Sequence, residues 1–546
     1  MIAESDLPAL LAELRDLLGH RSIEEGVRRL DGVRPFLETL DPATRHAGTL
    51  VGLVAQWVDA GFDDAHLIYR LLDRFPSSTR SSLPLIDYLH VRMAEGVAAM
   101  SREDFEQASA HFRLVDSLGG ETGDQELLSI ASFWTGRCLR RMGRYDDALS
   151  YTVRGEELAL SCGYAPAAAV MQLTRSWVCF QKGRLNEASA ILRKAGEALS
   201  RTDDFLARGN LQSAYGRIAR RQGRYEPALE NFERAICEYR RARGAELQLA
   251  RSLLNIGFVN RLIALDIQKT ADSEAASRRG GAGAAARAEA GRGQRQRIGE
   301  IRERAREQLQ ESMAIYTRHG NHRGMAGVHV NQGLLALDFG DLETAAAEAE
   351  SAFRHGEGKQ DSIVMARART LQCMVENARL EEEIGDPGHH FDKAEVFARE
   401  AVDFAGHTQN RRLLARAYIW QGLTHTAPSH GNLDLARRCC EEAATQLKPE
   451  GLERQYVWDD LELLKSKVLH SGPVDPVLRA WSNGIVGDKT FQEITEEFAR
   501  IIVPKVWERE ERKVSRVATR LSMSPKKIRR ILRAVRAPGA GKAEKE

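Results

Sequence analysis

The sequence predicts an all-α protein: an α-solenoid of helical hairpins of about 40 residues each, followed by a small helix-turn-helix domain. Three observations carry this. Ala108, Ala148, Ala188 and Ala228 are evenly spaced, in stretches of shared grammar such as GRCLRRMGRYDDA over 136–148, and a fixed period of that order marks arrays whose units bury their apolar faces only against neighbours. Ala, Leu, Arg and Glu dominate while aromatic residues make up only 6%, which favours helix over sheet. A chain of 546 residues exceeds one ordinary core, a limit that a stacking solenoid escapes.

Residues 1–85 form an N-terminal helical region with breaks at Asp41-Pro42 and Phe75-Pro76. Its GFDDA stretch at 61–65 echoes GRYDDA with one residue fewer, as expected of a degenerate repeat that caps the array. The clear units run over 86–470. In each, a small residue lets two helices approach, a turn ends the first helix, and an Ala opens the second at a constant offset from the small one. Gly96 with Ala108, Gly136 with Gly143 and Ala148, Ser176 with Gly183 and Ala188, Gly216 with Gly223 and Ala228, and Gly333 with Gly340 and Ala345 follow this order. A looser unit uses Ala394 and Ala401, with GDPGHH lengthening its turn, and Gly422 with Leu433 and Ala436 forms the last. Leu461 to Leu469 reads as a closing helix and 471–489 as a linker. In the fifth unit Gly257 finds its Ala only at Ala305, far beyond that constant offset. The Gly, Ala and Arg-rich insertion at 268–297 lacks apolar periodicity and is expected as a disordered surface loop.

These small, aromatic and Ala positions resemble the tetratricopeptide repeat. The resemblance implies a TPR-like solenoid, with longer helices than the usual repeat of about 34 residues. It also implies that the first helix of each pair lines a concave groove. Arg137, Arg140, Arg217, Arg220, Arg251 and Arg261 then face the groove with Trp177, Phe180 and Phe258 between them, and Asn255 and Asn331 stand where similar arrays hold a peptide backbone. Such a lining suits a protein or an acidic or extended peptide. The competing reading pairs these arginines with Glu across the helices.

The segment 490–536 breaks the rhythm, and 537–546 reads as a disordered tail. Phe491 to Glu510 is an amphipathic helix that Pro504 is expected to kink or divide. A second helix over Val514 to Leu521 is followed by a turn at Ser522-Met523, and Ser524 caps a third with Pro525 at its first position. Ile528, Ile531, Leu532 and Val535 face inward, leaving Lys526, Lys527, Arg529, Arg530 and Arg533 outside. A helix so charged fits the major groove of duplex DNA. From Glu497 onward the chain resembles the Fis-type helix-turn-helix of bacterial enhancer-binding activators, carried by Val514, Ser515, Ala518, Leu521, Met523, Ser524, Ile528, Arg530 and Leu532. Ser522 replaces the usual turn Gly, and Lys527 replaces a small hydroxyl residue. The resemblance implies a homodimer through residues near 490–508 and DNA contacts from Ser524, Lys526, Lys527, Arg529, Arg530 and Arg533.

Charge supports this division. The whole chain carries +2, but residues 505–546 hold 14 Lys and Arg against 5 Glu, which leaves an acidic body under a basic tail. No GxxxxGK[ST] phosphate loop, HExxH or GxSxG occurs, so no enzymatic activity, cofactor or metal is expected. His389, His390 and Asp392 read as a polar turn, and Cys439-Cys440 as helix packing. Seven cysteines without a CxxC pair suit a reducing, cytoplasmic setting, and no apolar run suggests a membrane partner. The sequence therefore points to a bacterial transcription regulator that binds a protein or peptide in its solenoid and DNA through its tail. The alternative is a scaffold or adaptor acting only through protein contacts.

Overall fold

The computed structural model describes residues 6–62, 64–277, 284–427, 430–447, 456–471 and 489–536, and the regular structure among them is helical throughout. The chain divides into two units, Met1–Leu464 and Lys465–Glu546. The expected linker at 471–489 lies almost wholly outside the described residues, as does the tail at 537–546.

The first unit opens with α1 (Leu7–Gly19), α2 (Ile23–Glu38), α3 (Ala47–Ala60), α4 (Ala65–Leu72) and the short α5 (Ser77–Arg80). Helical hairpins follow. They are α6 (Leu85–Ser101) with α7 (Phe105–Gly119), α8 (Gln125–Arg141) with α9 (Tyr145–Ser161), α10 (Ala165–Gln181) with α11 (Leu185–Leu199), and α12 (Phe205–Arg221) with α13 (Tyr225–Arg241). Then come α14 (Glu246–Ser277) with α15 (Ala284–Arg318), α16 (His322–Leu337) with α17 (Leu342–Glu357), α18 (Ser362–Glu381) with α19 (Pro387–Gly406), α20 (Arg411–Thr424) with α21 (Leu433–Leu447), and α22 (Tyr456–Ser471). One apolar cluster runs from α1 to α10, and smaller ones between neighbouring hairpins continue it, in place of one central core.

The periodic small residues act as spacers. A Cβ on Gly136 would lie 2.5 Å from Thr152 Oγ1, one on Gly216 2.8 Å from the Phe232 ring, and one on Gly257 3.1 Å from the Ala305 carbonyl oxygen. Ser176, in the same role, donates its hydroxyl to the Ala188 carbonyl at 3.1 Å. The matching alanines, among them Ala108, Ala148, Ala188, Ala228, Ala305 and Ala345, are fully buried. At the turn that follows each spacer the backbone must become left-handed: Gly143, Gly183, Gly223 and Gly340 have φ between +71° and +80°. The first unit uses Glu103 there, at φ +61°.

Two elements differ from expectation. The insertion at 268–297 is helical wherever it is described: α14 runs on to Ser277 and α15 begins at Ala284, while 278–283 lie outside the described residues. Ala, Arg, Glu and Gln are strong helix formers, so the segment lengthens the hairpin without an apolar stripe. In the second unit Pro504 does not divide its helix, and α23 runs unbroken over Phe491–Arg509. Thr490 and Glu493 start it with a capping box. Two shorter helices follow, α24 (Val514–Leu521) and α25 (Pro525–Arg536). Val503, Val517, Ile528, Ile531 and Leu532 make the core of this unit.

The first unit also closes on itself. Gln409 donates its backbone N–H to the Gly143 carbonyl at 3.0 Å. Its side-chain oxygen accepts from the Asp146 N–H at 2.7 Å, and Arg323 reaches the Arg141 carbonyl at 2.8 Å. On the other side, Asp203 accepts from the N–H groups of Ile23 and Glu24 at 2.7 and 2.9 Å, and Arg21 pairs with the buried Asp204 at 2.6 Å. Hairpins remote in sequence thus touch through their turns.

Candidate functional site

Because the turns meet, the groove becomes a cavity. It measures about 860 Å³ and is lined from α1 to α22, chiefly by the first helices of the hairpins. The size suits a ligand that is largely enclosed. Of the groove residues expected from the sequence, Arg137, Arg140, Arg217, Arg220, Arg251, Asn255 and Asn331 line it, as do Trp177, Phe180 and Phe258.

Arg261 does not. It is nearly buried and forked onto Asp338, the C-cap of α16, with Nη2 to Oδ1 at 2.9 Å, so it ties two hairpins together. The same count from Gly257 places Arg251, Asn255 and Phe258 correctly, and the pairing with Asp338 draws Arg261 away from the lining. Several other arginines, including Arg15, Arg141, Arg323 and Arg412, do line the cavity. Arg141 follows Arg140 in sequence, but Arg323 and Arg412 arrive from hairpins that only the closure of the turns brings near.

The lining is strongly cationic. Among the described residues, thirteen arginines and three carboxylates (Asp59, Asp124 and Glu126) face the cavity. Some of these charges are paired: Arg137 with Asp59, Arg15 with Asp124 at 3.2 Å, Arg323 with Asp361 at 3.1 Å. Although burial pushes Arg137 down, the Asp59 carboxylate holds it above its ordinary value. Others differ. Burial, reinforced by Arg141, Arg137, Arg251 and Arg217, pushes Arg140 well below its ordinary value. Burial and the nearby Arg323 and Arg251 push Arg141 down to about 9, and burial and Arg251 push Arg217 down to about 10. Aromatic faces take up part of this charge: Arg140 lies 4.8 Å from the Trp177 ring centre and Arg220 4.9 Å from that of Phe258.

The two asparagines are differently placed. Asn255 accepts from Arg220 at 2.7 Å and donates to the Arg251 carbonyl at 2.7 Å. Asn331 donates to the Gly327 carbonyl at 2.7 Å, while its Oδ1 is buried without a hydrogen-bond partner.

The second unit carries its own basic surface. Ser522 adopts the left-handed conformation at φ +50° that ends α24, and Ser524 Oγ accepts from the Lys527 N–H at 3.3 Å as the cap of α25. Burial of Ile528, Ile531 and Leu532 turns Lys526, Lys527, Arg529, Arg530 and Arg533 out to solvent. All six residues expected at a DNA contact, Ser524 included, are exposed.

Elsewhere, His390 bonds Glu376 at 2.5 Å, and no group of three potential metal ligands occurs among the described residues. Burial pushes the Cys439 thiol up to about 11. No helix among the described residues is long and apolar enough to cross a membrane.

The chain matches no protein-family description and no curated protein. Its fold does have solved counterparts. A Rap protein complexed with competence and sporulation factor is 11% identical and superposes with a TM-score of 0.52, over 74% of this chain and 98% of that one. The apo form of the quorum sensor NprR from B. thuringiensis is 13% identical with a TM-score of 0.47, over 73% of this chain and 99% of that one. The likeness to the Rap protein establishes the fold, a TPR-like α-solenoid.

Proposed function

We propose that this chain is a non-enzymatic, DNA-binding transcription regulator whose solenoid receives a protein segment or peptide and whose C-terminal helix-turn-helix contacts duplex DNA. The arginine-rich cavity is the observation that carries the first half. The Rap protein that shares this fold is complexed with competence and sporulation factor, which supports reading the cavity as the seat of a ligand. Five exposed cations on a capped α25, held by an apolar inner face, support the second half. Phe491 and Phe498 are exposed on α23 and favour pairing of two copies through residues near 490–508. Ligand binding then acts by population shift, favouring one arrangement of the solenoid and with it one spacing of the paired recognition helices.

The test is binding of full-length protein to random duplex DNA by fluorescence anisotropy across a salt series. Affinity falls steeply as salt rises, and replacing Lys527 and Arg530 with Ala lowers the log–log slope by about one for each phosphate left unneutralised. Absence of binding at low salt, or a slope that the variant leaves unchanged, rejects the DNA-binding half and favours a scaffold acting through protein contacts alone.

A further inference from the structure

The cavity's charge is unbalanced at one place. Arg140 and Arg141 end α8, Arg217 lies on α12 and Arg251 on α14, and all four line the cavity. Their close contacts are with neutral groups: Arg140 has the Trp177 face and an Nε without a hydrogen-bond partner, Arg141 the Phe105 ring at 5.6 Å, with the charge of Glu103 acting on it without an ion pair, Arg217 the Ser213 hydroxyl at 3.2 Å, and Arg251 lies near Tyr316. Carboxylates pair with other arginines of the lining, whereas none among the described residues forms an ion pair with any of these four. Part-buried arginines held together without a paired carboxylate repel one another in the empty protein. A ligand that brings the missing negative charge relieves that repulsion.

A second feature narrows the ligand. Asn331 Oδ1 and Gln248 Oε1 belong to residues lining the same cavity, and both are buried acceptors without a donor. A bare oxyanion such as phosphate has no donor to offer them, but a peptide backbone carries N–H groups. We propose that Arg140, Arg141, Arg217 and Arg251 form a subsite for two adjacent acidic side chains of a peptide whose backbone N–H groups satisfy Asn331 and Gln248. This inference rests on the reading of the cavity as a peptide seat. Burial and the same crowding push Arg140, Arg141 and Arg217 below their ordinary values, and the charge of the acidic pair opposes that shift.

The experiment is affinity capture by the full-length protein from two pools of random short peptides, read by mass spectrometry. One pool contains only uncharged residues and the other carries an adjacent Glu-Glu pair at a random position. The paired pool is expected to be retained at least about tenfold better, and pyrophosphate is expected to compete with it. Exchange of Arg140 and Arg217 for Gln abolishes the preference, and Arg217→Lys, which keeps the charge, preserves most of it should the double variant not fold. Equal retention of both pools overturns the acidic subsite but leaves the peptide seat standing. Retention of neither pool overturns both, whether or not pyrophosphate binds.

Discussion

At the scale of single residues the fold depends on positions where a side chain has no room or the backbone no freedom. Gly143 and Gly223 hold equivalent turns at φ +80° and +71°, yet only Gly143 faces a neighbouring turn, where a Cβ would lie 3.0 Å from Thr408. Left-handed backbone costs a non-glycine residue about 1–2 kcal/mol. Gly223→Ala should lower stability by about that much, and Gly143→Ala by more, because it also wedges the contact between turns. Equal shifts in thermal midpoint would show that this contact yields freely. His90 supplies a second case. It is buried beside Gly52, its Nε2 accepts from Arg15 at 3.2 Å, and burial pushes it down to about 3 from an ordinary 6.5. The folded-state value is the lower one, so the unfolded chain takes up the proton first. Stability is complete above pH 6.5 and declines as pH falls towards about 3, by about 1.4 kcal/mol per pH unit. Thermal midpoints taken from about pH 7 down to about pH 5 should fall less steeply in His90→Gln than in the parent. Parallel curves would remove His90 from this role.

At the scale of elements, the hairpin α14–α15 separates what packs from what merely extends. Residues 265–271 and 292–301 are mostly exposed, whereas Ala305 and Leu309 are buried against α14. Replacing 271–297 with a short Gly-Ser linker should therefore move the thermal midpoint by less than about 2 °C, since closing a short loop changes the entropy little. A larger fall, seen by circular dichroism, would mean that the tip packs on the body. The same hairpin shows what the sequence makes legible. Gly257 and Ala305 declare their contact through residue type, because a spacer and its buried Ala keep their roles across any insertion. The helicity of the insertion was hidden because helix propensity leaves no apolar stripe when nothing covers the helix. The cap at Ser524 and the inner face of α25 were readable for the opposite reason: both are local. Arg140, Arg217 and Arg220 could be placed by register within one repeat, and Arg261 could not, since its partner Asp338 lies 77 residues away on another hairpin.

At the scale of the first unit as a whole, the decisive feature is contact between turns remote in sequence, which converts a groove into a cavity. No periodicity announces such contacts. Asp203 is the clearest instance. Ser22, at the N-cap of α2, makes no side-chain capping bond. Asp203, 180 residues away in the turn before α12, performs that task by accepting from the Ile23 and Glu24 N–H groups at 2.7 and 2.9 Å. A carboxylate at a helix N-terminus satisfies orphan donors and opposes the positive end of the helix dipole. The capping rule applied to the local sequence assigns the cost to Ser22, and the structure assigns it to Asp203. Asp203→Ala should cost about 1–2 kcal/mol and speed hydrogen exchange first in α1 and α2, whereas Ser22→Ala should change little. If Ser22→Ala proves the more damaging, α2 is capped locally and the turns meet without supporting one another. If Asp203→Ala does, the N-terminal helices owe their order to the far side of the array, and the cavity they help to line is held in shape by the same bonds.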